Sequence, residues 1–237
     1  MDIPIFWAVF AVAVIFAGLF TAIHTIKMPV TGFMLKGLST VAVIAMALVG
    51  AFTSGILQTP TGVVIIVGLV FCMLGDIALA LHEFGLSDPE RKDNIIQSGM
   101  TSFACAHTAF SVALFILIGH NALGILMPML FGLVVAVCVY FMEKPLKLTY
   151  GKCKAPAAIY AFFLAMSLGA SFALCIVSGW AISAILLFAG FFVFFASDLI
   201  LSKAYFGQEE NRKLYYFIYA LYYAAIILIG TSLFFFA

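Results

Sequence analysis

Two aspartates stand inside otherwise apolar stretches of membrane length: Asp76 in GLVFCMLGDIALAL and Asp198 in GFFVFFASDLILSK. A carboxylate in hydrocarbon costs ~2.5–3.5 kcal/mol on insertion scales, so an acid kept there points to function. The chain has ten acidic residues, and the other eight (Asp2, Glu83, Asp88, Glu90, Asp93, Glu143, Glu209 and Glu210) fall at the N-terminus or between the apolar stretches. If the pair meets, the two carboxylates cannot both ionise easily and must share a proton. One then acts as general acid and the other as general base. The structural alternative is a polar pair satisfied by hydrogen bonds within the bundle.

Other polar residues fall near the same layer. His107, in GMTSFACAHTAF, is the one histidine deep in an apolar stretch; it either packs as a core histidine or orients the dyad. Lys36 enters the second stretch at shallow depth, where it either snorkels to the interface, neutralises an aspartate or holds a lipid phosphate. Ser102, Ser197, Tyr160, Tyr219, Tyr222 and Tyr223 could lend hydroxyls. The run YYFIYALYY carries Tyr222 and Tyr223 past the depth of an interfacial aromatic belt, which favours a polar cavity there. Five cysteines (Cys72, Cys105, Cys138, Cys153 and Cys175) are spread singly without CxxC or Cys/His spacing, so they read as small apolar core residues and no metal is expected.

The elements that must position these side chains are membrane helices. The chain is 66% hydrophobic and only 9% charged over 237 residues, which excludes a soluble domain. A net charge of +1, with scattered basic residues, gives no nucleic-acid surface. The start, MDIPIFWAVF, lacks the positive region of a cleavable signal peptide. Eight stretches are long enough to span, near 5–22, 32–52, 62–81, 98–118, 122–141, 156–177, 180–202 and 214–235. No segment reads as a linker, so residues 1–237 are expected to form one all-α domain.

All eleven Lys and Arg fall at one end of these spans: Lys27, Lys36, Arg91, Lys92, Lys144, Lys147, Lys152, Lys154, Lys203, Arg212 and Lys213. The positive-inside rule makes that end cytoplasmic and both termini non-cytoplasmic, with Trp7 and Trp180 at the opposite interface. Asp76 and Asp198 then lie at matched depth, roughly 6–8 Å below the basic surface at ~1.5 Å per residue. Their surroundings echo each other four spans apart, as a four-helix duplication would leave them.

At these residues the chain resembles the YhhN-type lysoplasmalogenase family along essentially its whole length. The resemblance rests on Lys36-Gly37-Leu38 entering helix 2, Gly75-Asp76 in helix 3, and Gly99, Phe103 and His107 at four-residue spacing in helix 4. Pro156 and Tyr160 opening helix 6, Phe194 or Phe195 with Ser197-Asp198 in helix 7, and Tyr222-Tyr223 in helix 8 complete it. The chain departs from the family at Gly37, where proline is frequent, and at Ile226, where glutamine is. The resemblance implies hydrolysis of the vinyl ether bond of a lysoplasmalogen to a fatty aldehyde and glycerophosphoethanolamine or glycerophosphocholine. It implies a lysophospholipid partner drawn from the membrane, no cofactor, and a multi-pass protein of a bacterial inner membrane or endomembrane. A protonated enol ether becomes an oxocarbenium ion that water attacks, which parallels the two-carboxylate logic of glycoside hydrolysis.

Four other readings compete, one of them a purely structural or lipid-sensing protein, which turnover on vinyl-ether lipid would separate from the enzyme. An intramembrane aspartyl protease would need glycine at position 73, where Met73 stands. A zinc hydrolase would need several inner histidines, and only His107 qualifies. A proton-coupled transporter of a small lipid or amphiphile uses intramembrane acids, but usually near the midplane.

Overall fold

The computed structural model describes residues 3–24, 29–82, 89–207 and 212–236. These form eight helices, each long and apolar enough to cross a membrane: α1 (Ile3–His24), α2 (Pro29–Ser54), α3 (Pro60–His82), α4 (Pro89–Ile118), α5 (Ala122–Phe141), α6 (Lys154–Val177), α7 (Ile182–Phe206) and α8 (Arg212–Ser232). No strand occurs among the described residues; one isolated bridge joins Leu148 and Gly207. In lipid every backbone polar group must bond internally, and the helix achieves this within its own segment. The expected loop positions of Asp2, Lys27, Glu83, Asp88, Glu209 and Glu210 lie outside the described residues.

Two helix ends differ from expectation. Helix α4 begins at Pro89 rather than near 98, so Glu90, Arg91, Lys92 and Asp93 are helical rather than in a loop. Hydropathy marks only the lipid-length part of a helix. Proline suits the first helical position and Glu90 in the first turn meets the positive end of the helix dipole. Helix α7 runs to Phe206, with Lys203 in its last turn, where a cation meets the negative end.

Helices α2, α3, α4, α6, α7 and α8 each pack against the next and close a ring. Helix α1 lies outside it against α2 and α8, and α5 lies outside it against α6. The packing order of the first four helices is repeated by the second four, which puts α3 and α7 on opposite sides of the ring. The small residues repeat too. A β-carbon on Gly68 or Gly75 of α3 would stand 2.3 and 2.6 Å from the rings of Phe110 and Phe103 on α4. On α7, Gly190 lies in the same way against Ile229 of α8, and Ser197 donates to the Ile218 carbonyl of α8. Gly68 and Gly190 each lie eight residues before the aspartate of their helix. Without a hydrophobic drive between helices in lipid, such close approach supplies the association energy.

Of the five cysteines, Cys72, Cys153 and Cys175 are buried as expected, whereas Cys105 on α4 and Cys138 on α5 are exposed. An apolar exterior tolerates a thiol as readily as the core does, so burial of a cysteine cannot be inferred from hydropathy here.

Candidate active site

Each ring helix sends at least one side chain toward the centre of the basic half, among them Lys36 from α2, Asp76 from α3, Phe103 from α4, Tyr160 from α6, Asp198 from α7 and Tyr222 from α8. Asp76 is 2% exposed, and Lys36, at 3%, is buried rather than snorkelling. Lys36 Nζ stands 3.6 Å from Asp76 Oδ1. Thr40 Oγ1 donates to Asp76 Oδ2 at 2.7 Å and the Tyr222 hydroxyl donates to the same oxygen at 2.6 Å. Lys36 Nζ also lies 5.1 Å from the centre of the Tyr219 ring. A buried charge is tolerated when it is paired and its remaining lone pairs are bonded, and Asp76 meets both conditions.

Asp198 has different surroundings. The Tyr160 hydroxyl donates to its Oδ2. Among the described residues no lysine or arginine forms an ion pair with it. Helix α7 extends eight residues beyond Asp198 and α3 six beyond Asp76. At ~1.5 Å per residue the Asp198 and Asp76 positions therefore lie roughly 12 and 9 Å along the axis from the described ends of their helices.

Two cavities meet at Asp198. The smaller, about 20 Å³, is lined by Lys36, Asp76, Ser197, Asp198, Tyr219 and Tyr222, among others, so both carboxylates border one space. That volume admits a single water on the ~10–15 Å³ criterion for occupancy. The larger, about 500 Å³, is an apolar groove walled by α4, α5, α6 and α7. Its size lies in the ~300–1,000 Å³ range of small-molecule sites. Leu79, Phe103, Asp198, Leu201 and Tyr205 border both spaces. Cys72, one turn before Asp76, lies within electrostatic reach of both aspartates.

The connection from α5 to α6 (142–153) roofs the groove, to which it contributes Met142, Leu146, Leu148 and Tyr150. It is pinned to the end of α7. The Thr149 amide donates to the Phe206 carbonyl at 2.8 Å, and Tyr150 and Ser202 hydroxyls lie 2.7 Å apart. Glu143 fixes the strap from within, accepting from the Tyr150 amide at 2.8 Å and pairing with Lys154 at 3.0 Å. Those two partners, the amide first, hold the Glu143 carboxyl below the usual carboxylate range.

The remaining expected residues stand further back. His107 is fully buried and lines neither cavity. Ser167 donates to the Leu164 carbonyl, so its oxygen accepts from His107 Nδ1 at 2.8 Å. His107 Nε2 and Ser111 Oγ, one turn apart, have no partner among the described residues. The His107 ring packs 4.6 Å from Phe194 and 5.9 Å from Tyr160, so it supports the site from behind. Tyr223 donates to the Lys36 carbonyl at 3.1 Å and braces α2 rather than entering the cavity. Ser197 borders the small cavity but spends its proton on Ile218. Ser102 bonds the Ser98 carbonyl of its own helix and borders neither space, because position 102 turns away from the face that carries Phe103 and His107. Thr40 was missed, although its place one turn after Lys36 puts it on the same helix face.

The YhhN family model matches residues 31–233, a stretch that runs from the start of α2 to the end of α8 and contains every residue of the site. The chain belongs to the YhhN family. The family includes lysoplasmalogenases. Comparison with curated proteins and with solved structures gives no match.

Proposed function

We propose that this YhhN-family protein hydrolyses the vinyl ether bond of a lysoplasmalogen, releasing a fatty aldehyde and a glycerophospho-base. The observation that carries this reading is the position of Asp198, which borders a water-sized cavity shared with Asp76 and an apolar groove suited to a single alkyl chain.

The unequal surroundings of the two carboxylates divide the labour. Asp76, with an ammonium and two hydroxyl donors, is the carboxylate that serves as base. Asp198, with one neutral donor and an apolar flank, holds the proton. Asp198 gives that proton to the β-carbon of the enol ether, and the electron pair of the double bond makes the new C–H bond. The ether oxygen stabilises the resulting oxocarbenium ion. Asp76 takes a proton from water as its oxygen bonds to the cationic carbon, giving a hemiacetal. In the collapse, Asp76 returns its proton to the departing glycerol oxygen while the hemiacetal O–H proton passes to Asp198. Both aspartates end as they began. This is general acid–base catalysis in which position and water exclusion do the rest.

The basic end, which carries Lys144, Lys147, Lys152, Lys154 and Lys203, is assigned to the cytoplasmic side by the positive-inside rule. The site then opens toward the cytoplasmic leaflet of a bacterial inner membrane or an endomembrane. No cofactor enters the reaction.

The test is aldehyde release from lysoplasmenylethanolamine by purified protein in detergent. Wild type releases aldehyde, whereas Asp76→Asn and Asp198→Asn insert and fold but do not. Turnover in either variant at the wild-type rate refutes the dyad. Proton-coupled uptake of an amphiphile into proteoliposomes, without hydrolysis, would replace the enzyme with a transporter.

A further inference from the structure

We propose that Lys203 anchors the phosphate of a single-chain phospholipid whose tail lies in the apolar groove, and so sets which bond reaches Asp198. The proposal rests on the hydrolase reading for the identity of the reacting bond, but the binding site stands on its own geometry.

Lys203 lines the groove at its basic mouth, is exposed, and pairs with no carboxylate among the described residues. Among the described residues Lys203 is the one cation in the groove lining: Lys144 and Lys147 of the roof do not border it, Lys154 pairs with Glu143 at 3.0 Å, and Lys152 lies 3.6 Å from Glu90. Beside Lys203 the Ser202 and Tyr150 hydroxyls, 2.7 Å apart, also line the groove and share one proton between them. One hydroxyl therefore stays free to donate outward. An ammonium and a hydroxyl at the polar end of an otherwise apolar groove fit an anionic oxygen cluster on a lipid.

The spacing selects the lipid. Lys203 follows Asp198 by five residues on one helix, which is a rise of ~7.5 Å. In a lysophospholipid the sn-1 oxygen and the phosphorus are five covalent bonds apart, about 6 Å when extended. A phosphate held by Lys203 thus brings the sn-1 ether bond to Asp198, with the chain running on past Phe103, Ala161 and Leu164. The long, mobile lysine side chain takes up the difference. A fatty acid has its carboxylate at the chain end, so anchoring it at Lys203 would leave only saturated carbon beside Asp198.

Binding is measured with the saturated-ether lipid 1-O-hexadecylglycerophosphoethanolamine, which has no vinyl bond to cleave, and with 1-O-hexadecylglycerol, which has no phosphate. Full-length protein in detergent is titrated with each. Wild type should bind the phospholipid about tenfold or more tightly than the alkylglycerol, as expected of a charge-assisted contact. Lys203→Ala and Lys203→Glu should lose that margin, and Lys203→Arg should keep most of it. A margin that survives Lys203→Ala, or no margin in wild type, overturns the anchor; so does palmitate binding as tightly as the phospholipid. Lys203-dependent binding without any aldehyde release would discard the reaction and keep the site. Aldehyde release indifferent to Lys203 would discard the anchor and keep the reaction.

Discussion

The buried Lys36–Asp76 pair makes stability and activity separable. Lys36→Met removes the ammonium that stands 3.6 Å from Asp76 Oδ1 while both side chains are almost wholly buried. At an effective dielectric of ~20, a pair at that distance interacts by about 5 kcal/mol. Breaking a buried pair from one side costs about 3–5 kcal/mol, because the remaining charge is left unpaired. Asp76→Asn leaves Lys36 in the same position. The double variant Lys36→Met/Asp76→Asn leaves no charge behind, so most of the loss should be recovered, with a coupling of roughly 3 kcal/mol. At ~2–4 °C per kcal/mol for a chain of this size, each single variant should melt about 6–20 °C below wild type and the double variant close to it. The assay is thermal unfolding in detergent, run beside aldehyde release on the same samples. Activity should be absent from all three variants, because each one removes the base or the charge that keeps it a base. A double variant no more stable than the singles refutes the pairing. A stable and active Lys36→Met protein refutes the role given to Asp76.

Three further outcomes follow from the geometry. Tyr222→Phe removes one of the two hydroxyls bonded to Asp76, a charge-assisted bond of about 1.5–3 kcal/mol, so kcat should fall by ~10- to 100-fold with the fold intact by circular dichroism. Gly75→Ala places a β-carbon 2.6 Å from the Phe103 ring, so it should destabilise by roughly 1–3 kcal/mol in a denaturation series and slow turnover by displacing Phe103. Glu143 is held below the usual carboxylate range by the Tyr150 amide and Lys154; its hold on the strap is therefore complete above the ordinary glutamate value of ~4.3 and is lost as pH falls through the lower folded value. Hydrogen exchange of amides 143–151 should rise below about pH 4 in wild type. In Glu143→Gln it should already be raised at neutral pH, without a step.

The helices and the two aspartates were legible in the sequence because both signals are local. Twenty apolar residues imply a span wherever they occur, and an acid inside one is conspicuous without knowing its neighbours. Tyr222 could be marked for the same reason, since it lies beyond belt depth in its own helix. Lys36 could not be settled this way. At its depth a lysine either snorkels or pairs, and the choice depends on whether α2 touches α3 beside Asp76. Ser102 was selected by depth alone and Tyr223 by depth together with the Tyr222-Tyr223 pair of the resemblance; rotation about the helix axis turns Ser102 away and sets Tyr223 against the α2 backbone. That His107 Nε2 finds no partner among the described residues is likewise a property of what surrounds α4.

Sequence by itself therefore determined a polytopic helical membrane protein, its eight spans, its basic end and a pair of acids kept in hydrocarbon at a cost. Only the tertiary structure decided how those acids differ. The six-helix ring gives Asp76 a lysine from α2 and a tyrosine from α8, while Asp198 receives a tyrosine from α6 and an apolar groove. Hydropathy is summed along a single helix, whereas the role of a buried carboxylate is set by the donors and charges that neighbouring helices bring within a few ångströms of it.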